Sequence, residues 1–172
     1  YYRKVSQRMM PYLANRIISA VRCPGGIETF CFYKKHPGND NQGIGTISVP
    51  TKDDESEEYY YIADVHGLLS EVQMNTLEFH TWGSRVESLE KPDMMVFDLD
   101  PDEGMELEQI RQGVKDLKGL LDQLPVVSFL KTSGGKGYHV VIPFEPAASW
   151  DNFHAFAQNI AKTMEAMWPD RY

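Results

Sequence analysis

Apolar residues at Leu107, Ile110, Val114, Leu117, Leu121 and Leu124 recur at steps of three and four, the spacing of one face of an α-helix. The stripe predicts an amphipathic helix ending near Pro125, whose ring cannot continue it. A second stripe, Trp150, Phe153, Phe156, Ile160, Met164 and Met167, predicts another helix. Three apolar runs between breakers predict strands. These are Met94–Leu99 between Pro92 and Pro101, Val126–Lys131 after Pro125, and Tyr138–Pro143 after the glycine turn Gly134–Gly137. The first is expected to be buried. The order β-α-β-β-α is a split βαβ unit lacking only its last strand. The first half of the chain is less regular. Ile17–Arg22 and Thr29–Lys34 predict two short strands around the turn Pro24-Gly25-Gly26, and Val65, Leu68, Leu69 and Val72 predict a helix within Val65–Thr76. The acidic stretch Asp53–Glu58, following Gly43, Gly45 and Pro50, reads as an exposed loop.

Composition adds limits. With 172 residues, 42% of them hydrophobic, the chain can bury a substantial core, and a mean hydropathy of -0.42 is ordinary for a soluble globular protein. No apolar run approaches bilayer length and no basic-then-apolar leader is present, so no membrane role is expected. The chain opens at Tyr1 without a methionine and reads as a fragment. Cys23 and Cys31 lack a CxxC partner and fall in the strand-like segments, which predicts buried free thiols in a reducing cytoplasm. A net charge of -8 argues against nucleic acid, but its distribution changes the picture. Residues 1–36 carry seven basic side chains against the single acid Glu28. The remainder is strongly acidic. Such a chain can set a phosphate backbone on one side and metal-binding carboxylates on the other, or be unevenly decorated.

Asp98-Leu99-Asp100 is the first chemical candidate. Residues i and i+2 of a strand point to one side, so both carboxylates enter one space and repel unless a cation lies between them. Hard divalent ions fit, and ions paired roughly 3.5–4 Å apart serve in-line phosphoryl displacement. An EF-hand fails because Glu103 and Gln109 stand where glycine and glutamate are needed. A haloacid-dehalogenase-like phosphotransferase using Asp98 and Asp100 remains open. The second candidate is Lys131–His139 (KTSGGKGYH). Its spacing is not a P-loop, yet Gly135 and its neighbouring glycines can turn N–H groups to an anion, with Ser133, Lys136 and His139 adding polar contacts. A plain hairpin turn is the alternative. His80-Thr81-Trp82-Gly83-Ser84-Arg85 can reach a triphosphate or sugar or be purely structural. In Phe30–His36, aromatics interleaved with Lys34, Lys35 and His36 suit base stacking with phosphate contact. Strand alternation puts Phe30 and Phe32 on one face and Cys31 and Tyr33 on the other, so one set is expected to be core. His66 and His154 read as structural.

Taken together, V-R-C-P-G-G-I at 21–27, C-F-Y-K-K-H at 31–36, H-T-W-G-S-R at 80–85, P-D-M-M-V-F-D-L-D-P at 92–101 and K-T-S-G-G-K-G-Y-H-V-V-I-P at 131–143 resemble the polymerase domain of bacterial ligase D, of the archaeo-eukaryotic primase superfamily. The resemblance covers nearly the whole chain. It implies an α+β primase-polymerase fold, with an RRM-like catalytic half at 93–172 and a β-rich, DNA-facing module at 1–92. It implies template-directed nucleotidyl transfer with a taste for ribonucleotides, filling DNA ends or gaps in non-homologous end joining. Two manganese or magnesium ions would sit on Asp98 and Asp100. Ser133, Gly135, Lys136 and His139 would hold the nucleoside triphosphate, with His80 beside it and Phe32 as a stacking platform. Tyr33, Lys34, Lys35 and Arg85 would contact DNA. Implied partners are DNA ends, the Ku end-binding protein, and ligase and phosphoesterase domains in cis or trans, for a monomer in the prokaryotic cytoplasm, at the nucleoid. The family's third catalytic aspartate, on a strand after the last helix in a segment like F-I-D-[YW]-x-R-N, and its basic N-terminal arm are not matched. An incomplete domain is therefore expected, or one that binds DNA ends and nucleotide without turnover.

Overall fold

The computed structural model describes all residues except 39–41, 52 and 54. In chain order the elements are α1 (Tyr2–Leu13), β1 (Ile18–Arg22), β2 (Phe32–Lys34), β3 (Ile44–Pro50), β4 (Ser56–Ile62), α2 (Val65–Gln73), β5 (Thr76–Thr81), β6 (Met94–Leu99), α3 (Leu107–Leu121), β7 (Phe129–Thr132), β8 (Tyr138–Pro143) and α4 (Trp150–Met167). They fall into two compact units, Tyr1–Leu89 and Glu90–Tyr172.

In the first unit β1 lies between β2 and β5 in an antiparallel sheet, and β3 pairs with β4 in a hairpin. Leu13, Ile18, Ala20, Tyr60, Ile62 and Leu68 form its core, with Tyr2, Met9 and Met10 of α1 packed against it. The side chain of Asp64 caps α2, accepting from the N–H groups of His66 and Gly67 at 2.8 and 3.1 Å, donors the helix itself leaves unpaired.

The second unit is a three-stranded antiparallel sheet in the order β6-β8-β7, crossed on one face by α3 and α4. Antiparallel β8 between β6 and β7 is the arrangement a split βαβ unit requires. Met95, Val140 and Ile142 are buried against Leu117, Leu121, Phe153, Ile160 and Met164. Each fully buried aliphatic or aromatic side chain here contributes about 1.5–3 kcal/mol. The opposite face of the sheet stays open, with Val96 43% exposed. A capping box starts α3: the Glu106 N–H donates to the Gln109 side chain at 2.8 Å, and the Glu106 side chain accepts from the Gln109 N–H.

Several expectations are corrected. Cys23 and Cys31 are not free thiols. They form a disulfide across a Cα–Cα distance of 4.3 Å, because they flank the strands β1 and β2 that pair around the intervening turn. Neither face of the Phe30–Tyr33 segment is core: Phe30, Phe32 and Tyr33 are 76%, 37% and 60% exposed, since β2 is a short edge strand. Met94–Leu99 is covered on one face, not two. Part of the acidic stretch is strand, as Ser56–Glu58 pair with Ser48–Pro50; Asp54 lies outside the described residues. α1, β3 and β5 had no expected counterpart, and α2 stops at Gln73 so that Thr76 can begin β5. The ends of the last apolar stripe, Trp150 and Met167, are exposed.

Candidate functional site

The site is built where β6 ends beside β8. Asp98 lies directly across from His139 in the ladder, and the His139 Nε2 is 3.3 Å from the Asp98 Oδ1. Asp100 stands two residues on, on the same side of the chain. Both carboxylates are open to solvent. Asp100 is seated against Gly137: a Cβ on that glycine would fall 2.3 Å from the Asp100 Oδ1 and 2.4 Å from the Leu99 carbonyl oxygen. Contact therefore demands glycine at 137. At Gly134 the backbone demands it, with φ +88° in the left-handed region.

The loop between β7 and β8 closes on itself. The Ser133 hydroxyl donates to the Gly137 carbonyl at 3.0 Å and accepts from the Gly135 N–H at 3.3 Å. Ser133 and Gly135, expected as phosphate donors, thus spend those donors on the turn. Lys136 is exposed at its tip and makes no ion pair among the described residues. Lys131 lies across from His139 on the other side. A cavity of about 500 Å³ lies on the α3 and α4 side of β6, lined by Phe97, Leu99, Ile110, Leu117, Met164 and Tyr172, and reaches the backbone stretch that carries Asp98 and Asp100.

One buried carboxylate nearby is fully engaged. Asp116 accepts from Gln112 at 2.8 Å, Arg171 at 2.6 Å and the Tyr172 hydroxyl at 2.9 Å. Burial, with the Asp116 hydrogen bond and charge, pushes the Tyr172 hydroxyl up to about 12. With three donors on it, Asp116 holds the C-terminal turn to α3. Among the described residues no group of three His, Cys, Asp or Glu side chains is arranged to hold a metal. Asp98 and Asp100 are two carboxylates of the kind hard divalent ions take.

The first unit gathers its candidates differently. His80 and Tyr33 share the outer face of their sheet, ring centroids 5.7 Å apart, and the His80 Nε2 is 2.8 Å from Glu78 Oε2. Phe32 stacks near-parallel with Phe30 at 6.0 Å, with the Arg22 guanidinium 5.9 Å from its ring. Lys35 is exposed. Lys34, expected at DNA, turns inward instead: its ammonium pairs with Glu71 at 2.5 Å and lies 4.3 Å over the Tyr60 ring. Glu71 also accepts from Thr76 at 3.1 Å. Arg85, likewise expected at DNA, donates to the carbonyls of Ala14 and Pro11 at the end of α1, where orphaned acceptors attract a cation. Arg16 is buried and donates to the Trp82 carbonyl. Of the seven basic residues in 1–36, Arg16 and Lys34 are therefore structural, while Arg3, Lys4, Arg8 and Lys35 stay exposed. Gly137 and Glu71 were missed by sequence reasoning. The G-x-G pattern around Lys136 was the available signal for the first; nothing local signals the second.

An antiparallel α+β sheet with paired aspartates at a strand end is the arrangement expected of a primase-polymerase fold. The polymerase domain from Mycobacterium tuberculosis Ligase D, solved in complex with DNA, has this fold with a TM-score of 0.88. It shares 27% identity, and the match covers 98% of this chain and 62% of that one. The chain belongs to the LigD primase-polymerase domain family, whose description matches residues 1–172. It is 34% identical over its full length to the multifunctional non-homologous end joining protein LigD of Pseudomonas aeruginosa. It is 30% identical to the bifunctional non-homologous end joining protein LigD of Bacillus subtilis. The chain spans 20% and 28% of those two proteins. Family membership removes the dehalogenase-like reading of Asp98 and Asp100.

Proposed function

We propose that this chain carries out template-directed nucleotidyl transfer, filling DNA ends or gaps in non-homologous end joining. The observation that carries the reading is the pairing of Asp98 with His139 across β6 and β8, with Asp100 seated beside it on Gly137. Asp98 and Asp100 would hold divalent ions, manganese or magnesium. When bound, such ions supply activation of the primer 3′-hydroxyl and neutralisation of the departing pyrophosphate.

The chain's own residues do the rest. His139 orients Asp98 and offers a polar contact to phosphate. Lys136 brings a mobile charge to the triphosphate from a turn that Ser133 and Gly135 hold in shape. Phe32 and Tyr33 offer exposed rings to unpaired bases, His80 stands ready for the nucleotide, and Lys35 meets the DNA backbone. The 1–92 module is read as the DNA-facing part and 93–172 as the catalytic part. The relatives' names, which are of non-homologous end joining proteins, and a solved relative in complex with DNA support DNA ends as substrate. The companions proposed with it are the Ku end-binding protein and ligase and phosphoesterase domains, for a monomer working at the prokaryotic nucleoid in the cytoplasm.

Primer extension on a gapped duplex with Mn²⁺ and ribonucleotides tests the reading. Extension is expected, and Asp98→Ala or Asp100→Ala should abolish it. Unchanged extension in either variant defeats the metal assignment. A second reading, binding without turnover, is favoured because among the described residues no third His, Cys, Asp or Glu groups with Asp98 and Asp100 to hold a metal. Nucleotide and DNA binding with no extension would support it.

A further inference from the structure

The three strands of the second unit each contribute one ionisable side chain to a single cross-strand row. Asp98 on β6 faces His139 on β8, and His139 faces Lys131 on β7. Directly opposed residues of antiparallel strands share a face, so all three leave the sheet on the side away from α3 and α4. Neighbouring strands lie about 4.8 Å apart, so the row spans about 10 Å. Its carboxylate stands at one end and the root of the lysine at the other. Lys131 is exposed and makes no ion pair among the described residues.

A lysine on an edge strand can be a plain guard against edge-to-edge pairing, and the exposed Phe129 and Leu130 of β7 give such a guard a purpose. The row argues for more. A triphosphate held beside Asp98 and Asp100 crowds like charges into one space, and its outer phosphates need cations farther along the face. Lys136 supplies one from a loop. Lys131 supplies another from a strand, where backbone pairing fixes its origin relative to His139 and Asp98.

We propose that Lys131 is a positioning residue for the outer phosphates of a nucleoside triphosphate whose reacting end lies at Asp98 and Asp100. The inference rests on the nucleotidyl-transfer reading of this site. It adds a residue to that reading, one that acts on the outer phosphates alone.

Calorimetric titration of the full chain with ATP and with AMP, each with Mn²⁺, tests it. The unsubstituted chain should favour ATP. Lys131→Ala should weaken ATP binding by about tenfold, the loss of one charge-assisted contact, and leave AMP binding and the melting temperature unchanged. Lys131→Arg should restore most of the preference. In extension assays the alanine variant should raise KM for the triphosphate with little change in kcat. Unchanged ATP affinity in Lys131→Ala, or an equal loss for ATP and AMP, overturns the assignment and leaves Lys131 an edge guard. No preference for ATP in the unsubstituted chain is a separate result, and it defeats the underlying reading together with the inference.

Discussion

Replacing Gly137 by alanine adds one methyl group at the most crowded point of the site. The new carbon would lie 2.3 Å from the Asp100 Oδ1 and 2.4 Å from the Leu99 carbonyl oxygen, where ordinary contact begins at 3.4 Å. The Asp100 side chain can swing aside. The Leu99 carbonyl cannot move without disturbing the ladder that pairs Leu99 with Tyr138. Overpacking of this kind costs about 1–3 kcal/mol. A shift of about 1 Å at a reacting group costs on the order of 100-fold in rate, so activity should fall far more than stability. Gly135→Ala is the internal control, because its nearest neighbour, the Ser133 Oγ, is 3.8 Å away. Urea unfolding and primer extension with Mn²⁺, run on both variants, check the expectation. If Gly137→Ala extends primers as fast as Gly135→Ala, the claim that Asp100 is positioned through Gly137 is wrong.

Two further outcomes concern charge. Lys34→Ala leaves the Glu71 carboxylate, 4% exposed, without its cation and should cost about 3–5 kcal/mol. Lys35→Ala should change stability by less than about 0.5 kcal/mol, yet weaken DNA binding and lower its salt dependence by about one counterion; equal stability losses in the two variants would contradict the inward assignment of Lys34. The Tyr172 hydroxyl is raised from 10.0 to about 12, so the folded state holds that proton more tightly than the unfolded state. Its stabilisation is full below pH 10 and is lost as pH rises from there toward 12. The stability gap between the wild-type chain and Tyr172→Phe should narrow over that window in urea titrations, and a constant gap would refute the raised hydroxyl, whose causes are burial first and the Asp116 contact second.

The parts of this protein legible in its sequence are those governed by short-range order. β6 and β8 run as expected because each is an apolar run between breakers, and α3 because its stripe keeps helical period over four turns. The split βαβ order then dictates that β8 pairs with β6, which is enough to bring His139 to Asp98. β3, β4 and β5 stayed hidden because their strands mix Gly, Ser, Thr and Glu with few alternating apolar residues, and their stability comes from strand pairing, β3 with β4 and β5 with β1. The direction of Lys34 was decided by register: opposite the buried Ala20, its side chain enters the core side and finds Glu71. The cysteines were joined by the same pairing. By itself, then, the sequence determined most elements of the second unit, the two aspartates at a strand end and the family to which the chain belongs. Only the tertiary structure decided which cations are spent inside the fold and which stay free for a ligand, because that depends on partners far apart along the chain.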